Sequence, residues 1–301
     1  MTDNILISGA GTGFGLLTVQ TMLGFGYTVY AGIRDPEGRN AERAASVLRY
    51  AEGTRGKAVI VDLDVLDEDA CRKTVDTMMD RDGKIDAVFH NAGHLFIGYS
   101  EAFTPEQMTD AFRSNALGVH VLNRAVLPVM RAAGRGTLIY NSSGSAYVVG
   151  PFMAPYVMAK MAFDAIAEAT AYEVGAFGIE SVIMMPGAFT KGTSHFDNHV
   201  APADSAVVEA YARLHPDFAQ YGPGLENLFE GREQPAQAVA DEVARVLALP
   251  RGQKPLRTEV DFSEWGAGVV DVVSQHETAR LYGNMGLGHL IRPNIKQEAA
   301  A

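Results

Sequence analysis

Asn4-Ile5-Leu6-Ile7-Ser8-Gly9-Ala10-Gly11-Thr12-Gly13-Phe14-Gly15 is the stretch whose reading decides the fold. A short apolar run stops at a cluster of glycines, and a helical pattern opens at Phe14. Gly9, Gly13 and Gly15 stand in a G-x-x-x-G-x-G spacing. Glycines after a first strand let the chain turn tightly, so that backbone N–H groups at a helix N-terminus can meet a pyrophosphate. The spacing is not G-x-G-x-x-G, because Phe14 fills the last slot. A tight strand-to-helix turn without a ligand is the competing reading.

Working outward, the same alternation repeats. Strands are expected at Asn4–Ser8, Tyr27–Ile33, Lys57–Leu63, Ile85–His90, Gly136–Ser142, Ile179–Met185 and Arg257–Asp261. Runs such as Ala58-Val59-Ile60-Val61 are apolar throughout, as parallel strands covered on both faces must be. Helices are expected at Phe14–Phe25, Asn40–Ala51, Asp67–Met79, Pro105–Ala132, Pro155–Phe177 and Pro235–Leu249. Regular alternation implies βαβ units in an α/β fold: a doubly wound, mostly parallel seven-stranded sheet of Rossmann type. One domain over residues 1–301 is expected. A lid or insertion at about 192–234 and a C-terminal extension at about 262–301 fall outside the alternation, and long segments of this kind are often functional.

Hydrophobic residues make up 47% of the 301, enough for a sizeable core and too many for global disorder. The formal net charge of −11 argues against a nucleic-acid partner, whose footprint would be basic. One cysteine, Cys71, forms no internal disulfide and fits a reducing compartment. No secretory signal or run of about 18 apolar residues is visible, so a cytoplasmic location is expected, with no membrane partner.

Chemistry-bearing residues gather where strands are expected to end. The second strand closes with Gly32-Ile33-Arg34-Asp35. An acid there would bind a ribose 2′-hydroxyl, whereas an Arg suits a 2′-phosphate. Ile33 takes the acidic slot and Arg34 offers a planar fork, so NADP(H) is favoured over NAD(H). Against this, Thr12 stands before Gly13 where a basic residue would have strengthened the preference. Asp64 and Val65 end the third strand, either to hold an adenine or, for Asp64, to cap the next helix. Tyr156 and Lys160 sit four apart on one face of a helix. A cation about 4 Å from a phenol contributes roughly 4 kcal/mol at an effective dielectric near 20, about three pKa units before desolvation opposes it.

Ser143, 13 positions before Tyr156, completes a set with Gly9, Gly13, Gly15, Asp64, Asn91-Ala92-Gly93, Asn115, Lys160 and Pro186-Gly187. On these residues the chain resembles the short-chain dehydrogenase/reductase family, strongly over about Asn4 to Phe189 and more weakly to Asp261. The resemblance implies an NAD(P)-dependent oxidoreductase interconverting a secondary alcohol and a ketone. It makes Tyr156 the general acid or base and Ser143 the group that holds the substrate oxygen. Lys160 would lower the tyrosine's pKa and bind the nicotinamide ribose. Asn115 would support a water-linked proton relay to Lys160. Cofactor contacts are expected from Gly9, Thr12, Gly13, Phe14, Gly15, Arg34, Asp64, Val65, Asn91, Ala92, Gly93, Tyr156, Lys160, Pro186, Gly187, Phe189 and Thr190. The family often has a Thr five places after that Pro; here Lys191 stands there, with Thr190 and Thr193 nearby.

Phe189, Phe196, Tyr211, Phe218, Tyr221, Leu225, Leu228 and Phe229 are expected to give a mainly apolar substrate pocket. His195 and His199 have a zinc-like spacing but lack the Glu of such a motif, so they read as lid-loop histidines and no metal is expected. A homodimer or homotetramer is expected, with Ala162, Phe163, Ile166, Ala167 and Ala171 as a self-packing face. The alternatives are a dehydratase or epimerase, and a non-catalytic NAD(P)-sensing regulator of the same fold.

Overall fold

The computed structural model describes residues 3–214, 217–229, 231–291 and 295. Seven strands form one parallel sheet in the order β3-β2-β1-β4-β5-β6-β7. They are β1 (Asn4–Ser8), β2 (Thr28–Ile33), β3 (Lys57–Asp62), β4 (Ala87–His90), β5 (Gly136–Asn141), β6 (Ile179–Pro186) and β7 (Arg257–Val260). β1, β2 and β4 are buried at every position, the burial that their unbroken apolar runs require.

Helices cover both faces. On one side α1 (Gly13–Gly24), α2 (Ala41–Glu52) and α9 (Gln237–Ala248) bring Val19, Met22, Val47, Val239 and Val243 onto Ile5, Ile7 and Val29. On the other, α3 (Glu68–Asp82), α5 (Gly118–Ala133) and α6 (Ala154–Val174) bring Val75, Met78, Leu122, Val126, Phe163 and Ala167 onto Leu6, Val88 and Leu138. Phe163, Ala167 and Ala171 are thus buried in the chain's own core, so they do not form the self-packing oligomer face expected of them.

Local chemistry sets the helix ends. Asp67 caps α3 through Asp69 and Ala70, and Gly83 closes it at φ 66°. Asp64 instead takes the Leu66 N–H at 3.0 Å, a turn within the β3–α3 connection. The single helix expected over Pro105–Ala132 is three pieces. α4 (Pro105–Phe112) starts with a Thr104–Gln107 capping box, a π-helical turn follows at Arg113–Leu117, and α5 continues from Gly118. Such turns recur at functional sites, and this one carries Asn115.

Between β6 and α9 lie α7 (Ser205–Leu214) and α8 (Phe218–Asn227). α8 is not legible in the sequence, because Gly222, Pro223 and Gly224 lie inside it. After β7 come α10 (Ala267–Asn284) and α11 (Gly288–Ile291); the closing Ala299–Ala301 lies outside the described residues. Among the described residues no helix is long and apolar enough to cross a membrane.

Candidate active site

The carboxyl ends of β1, β2, β4, β5 and β6 open into one cleft of about 470 Å³. In open α/β sheets this is where ligands bind, since the connections diverge there. Its floor is the glycine turn. Gly9 adopts φ 67°, and a Cβ on it would lie 3.0 Å from Ala92 Cα. A Cβ on Gly15 would collide with the Gly9 carbonyl, so Gly15 seats α1 against the turn and does not line the cleft. The turn is braced from β4 and β5. Asn91 donates Nδ2 to the Ser8 carbonyl at 3.1 Å and accepts Asn141 Nδ2 at 2.9 Å. Gly9, Thr12, Gly13, Phe14, Asn91, Ala92, Gly93, Pro186, Gly187 and Phe189 line the cleft.

At the β2–β3 side, Ile33 is buried and Arg34 reaches out, its guanidinium 3.9 Å from Asp64. Arg34 therefore leans across to the β3 side of the cleft. Arg43, from α2, was not anticipated. Its Cδ lies 3.3 Å from where a Gly11 Cβ would stand, and Nη1 donates to Asn40 Oδ1 at 2.9 Å. Asn40 in turn donates to the Arg34 carbonyl at 2.6 Å. Two guanidinium groups thus share one wall. Val65 packs against Gly118 and lines the same end.

At the other end α6 brings Tyr156 and Lys160 to the ends of β5 and β6, both buried. Lys160 donates Nζ to the Asn141 carbonyl at 2.7 Å and lies 5.8 Å from the Tyr156 ring centre. Burial pushes Tyr156 up to about 12, against the pull of a hydrogen bond with Ser143. Burial pushes Lys160 down to about 7, against the pull of Asp164. The expected lowering of the phenol by the ammonium is therefore not what the chain alone produces. Desolvation disfavours both charged forms and outweighs the attraction between them. Asn115 is also buried; Oδ1 accepts the His94 N–H at 2.7 Å and Nδ2 donates to the Ala111 carbonyl at 3.1 Å. Ser143 Oγ lies 2.9 Å from Ser145 Oγ.

Thr190 does not line the cleft. Gln234 accepts its N–H and donates to its Oγ1, both at 2.7 Å, while Thr193 lines the wall instead. Lys191 pairs with Glu226 at 3.1 Å. Of the expected lid side chains, Phe189, Phe196, Tyr221 and Leu225 line the cleft. Tyr211 and Phe218 pack at a tilt against Tyr99, with ring centres 4.8 and 5.2 Å away, Phe229 is buried, and Leu228 is exposed. His195 is no idle loop residue: its ring lies 5.9 Å from that of Tyr156. Trp265 enters from the segment after β7, anchored by an Nε1 bond to the Val148 carbonyl at 2.7 Å.

The doubly wound sheet, with a glycine turn after β1 and a cleft along its carboxyl rim, defines a Rossmann-type α/β protein. Residues 3–201 match the sequence model of the short chain dehydrogenase family, and the chain belongs to that family. Proteins of that family are oxidoreductases that work with NAD(P)(H). The chain is 32% identical to a 3-ketodihydrosphingosine reductase of Bacteroides thetaiotaomicron over 188 residues, 62% of this chain and 64% of that reductase. It is 31% identical to the uncharacterized oxidoreductase YusZ of Bacillus subtilis, over 68% of this chain and 73% of that one. In fold it is similar to a short-chain dehydrogenase from Streptomyces avermitilis, at a TM-score of 0.72 and 24% identity. That likeness covers 96% of this chain and 98% of the other.

Proposed function

We propose that the protein interconverts a ketone and its secondary alcohol with NADP(H), using Tyr156 as the acid and base. The observation that carries this reading is the convergence of Ser143, Tyr156 and Lys160 at one end of a cleft whose other end is the glycine turn. The backbone of that turn fits a pyrophosphate, and Gly93, where a Cβ would stand 2.5 Å from Asn115 Oδ1, keeps the wall between the two ends thin. When bound, the reduced nicotinamide supplies a hydride to the carbonyl carbon and leaves oxidised.

The chain's own part is the proton and the geometry. A phenol pushed up to about 12 stays protonated at neutral pH, the form that donates to a carbonyl oxygen as negative charge develops there. Ser143 holds that oxygen. Lys160, fixed by the Asn141 carbonyl, would hold the nicotinamide ribose and supplies positive charge when protonated. Oxidation needs the phenolate, so its rate rises with pH, whereas reduction needs the phenol and draws on the Lys160 charge, which is lost as pH rises through about 7. The 3-ketodihydrosphingosine reductase relative acts, by its name, on a ketone, in keeping with the ketone reading here.

The whole chain is read as one catalytic domain, with residues 192–234 as its lid and 262–301 as an extension whose Trp265 closes the chain's own cleft. The same reading places the protein in the cytoplasm as a two-fold oligomer, for which Met158 and Met161, partly exposed on α6, are available.

The test is cofactor oxidation with a ketone panel. Tyr156→Phe is expected to lower turnover by about 10²–10⁴-fold and leave cofactor affinity within a few-fold. Lys160→Ala is expected to lose both. Retention of most activity by Tyr156→Phe overturns the acid assignment.

A further inference from the structure

The substrate end of the cleft is walled by Leu95, Met153, Phe196, Leu225 and Trp265. Among the described residues its guanidinium groups, Arg34 and Arg43, and its carboxylate, Asp64, stand at the far end, after β2, on α2 and after β3. Lys160 is turned to the Asn141 carbonyl. Among the described residues this chamber therefore presents no guanidinium to a carboxylate or phosphate on the substrate.

Among the described residues, a polar atom with no partner sits within these apolar walls. The Tyr221 hydroxyl, on α8, is buried and makes no hydrogen bond, yet the residue lines the cleft close enough to Tyr156 that ionisation of one phenol would oppose that of the other. A buried hydroxyl without a partner is costly and rare in a folded protein. The ring that carries it is held firmly. It packs edge-on against Phe152 at 5.6 Å. Phe152 also packs against Phe218 at 5.2 Å and Tyr99 at 5.6 Å, and it holds φ 64°, a left-handed backbone that a bulky residue adopts only under constraint. The Phe152 carbonyl accepts the Gly98 N–H at 2.8 Å, which fixes that conformation. A strained residue thus buttresses an unsatisfied phenol beside the reacting centre. The His195 ring also lines the cleft, 5.9 Å from that of Tyr156.

We propose that the Tyr221 hydroxyl and the His195 imidazole form a second polar anchor, and that the substrate is an uncharged, mainly apolar ketone or alcohol bearing a second oxygen, carbonyl or hydroxyl, close to the reacting carbon. This rests on the ketone–alcohol reading above. Tyr221 donates to the second oxygen. His195, kept neutral by burial and by the charge of Lys160, donates or accepts according to whether that oxygen is a carbonyl or a hydroxyl. A site built to bond a substrate oxygen rejects the analogue that lacks it, because its own polar group is then left bare.

Benzil and deoxybenzoin differ by one carbonyl oxygen on the same two-ring frame. Each is titrated calorimetrically into protein loaded with oxidised cofactor, where no turnover occurs. Wild type is expected to bind benzil at least about tenfold more tightly. Tyr221→Phe is expected to bring the two within about twofold by weakening benzil alone, and His195→Leu to narrow the gap. Equal affinities in wild type, binding of neither ketone, or an equal loss of both in Tyr221→Phe overturn the proposal. The last outcome would make Tyr221 a wall or a second donor to the reacting oxygen. Thermal unfolding gives an independent check: removing an unpartnered hydroxyl leaves the melting temperature unchanged or raised, whereas a clear drop shows the hydroxyl bonded within the fold. Discrimination in binding with no turnover of any ketone would instead overturn the reductase reading and leave the anchor standing.

Discussion

At Ile33 the second strand ends in a hydrocarbon that is 4% exposed, and the next side chain, Arg34, is 45% exposed over the cleft. An acid at that point would repel a 2′-phosphate; here there is none, and Arg43 adds a second guanidinium to the same wall. A charge-assisted hydrogen bond is worth about 1.5–3 kcal/mol, roughly 10- to 150-fold in affinity. Fluorescence titration is expected to show NADPH bound at least about tenfold more tightly than NADH. Arg43→Ala should weaken NADPH alone, and Ile33→Asp combined with Arg34→Ala should reverse the preference. Equal wild-type affinities would sink the NADP reading without touching the reductase reading. Asp64, 3.9 Å from Arg34, is the competitor that sets how much of this gain is realised.

On β4 the element ends in His90, which is buried and stacked on Tyr140 of β5 with ring centres 4.8 Å apart. Burial pushes its pKa down to about 3, from about 6.5 in an unfolded chain. Between those values the unfolded chain binds a proton that the folded one refuses. Stability therefore rises with pH across that window and falls on acidification below about 6.5. His195, pushed down to about 4 by burial and by Lys160, acts in the same direction. Urea midpoints are expected to fall from pH 7 to pH 5, and His90→Phe to flatten that fall. An unchanged slope in the variant would place the acid sensitivity elsewhere. The helices show the complementary lesson: α6 carries Tyr156, Lys160 and Asp164 at four-residue steps, so the face that carries the first two continues inward to a carboxylate.

That carboxylate ties the whole molecule together. Asp164 accepts from the Ser142 and Tyr147 hydroxyls at 2.9 and 3.0 Å and pairs with Arg257 of β7 at 2.9 Å. Arg257, its side chain 2% exposed, also meets Glu168 of α6 at 2.5 Å and Asp271 of α10 at 2.7 Å. The Asp271 contact is an ion pair without hydrogen-bond alignment, since both atoms lack a bonded partner. One guanidinium thus joins β7, α6 and α10. Arg257→Met would leave buried carboxylates without their cation, a change that costs about 3–5 kcal/mol. Equilibrium urea unfolding is expected to show a loss of that size, with earlier proteolysis in α10. A loss under about 1 kcal/mol would mean the carboxylates find other partners or take up protons.

The sequence by itself determined the sheet, the helices that cover it and the positions that face its rim. Burial on both faces demands unbroken apolar strands, and helical periodicity puts Tyr156 and Lys160 on one side, so both are written locally. The same local logic marked Gly9, Ser143 and Arg34. It failed at α8, where Pro223 and two glycines argue against a helix that tertiary packing imposes. It also failed to place Arg43, His195 and Trp265 at the cleft, and it put Phe163 and Ala167 on an outer face when they are core. Only the tertiary structure decided these. Trp265 reaches a carbonyl 117 residues away, and Arg257 a carboxylate 93 residues away. Such contacts depend on how whole elements dock, and no periodicity within one element encodes which of its side chains will meet a distant partner.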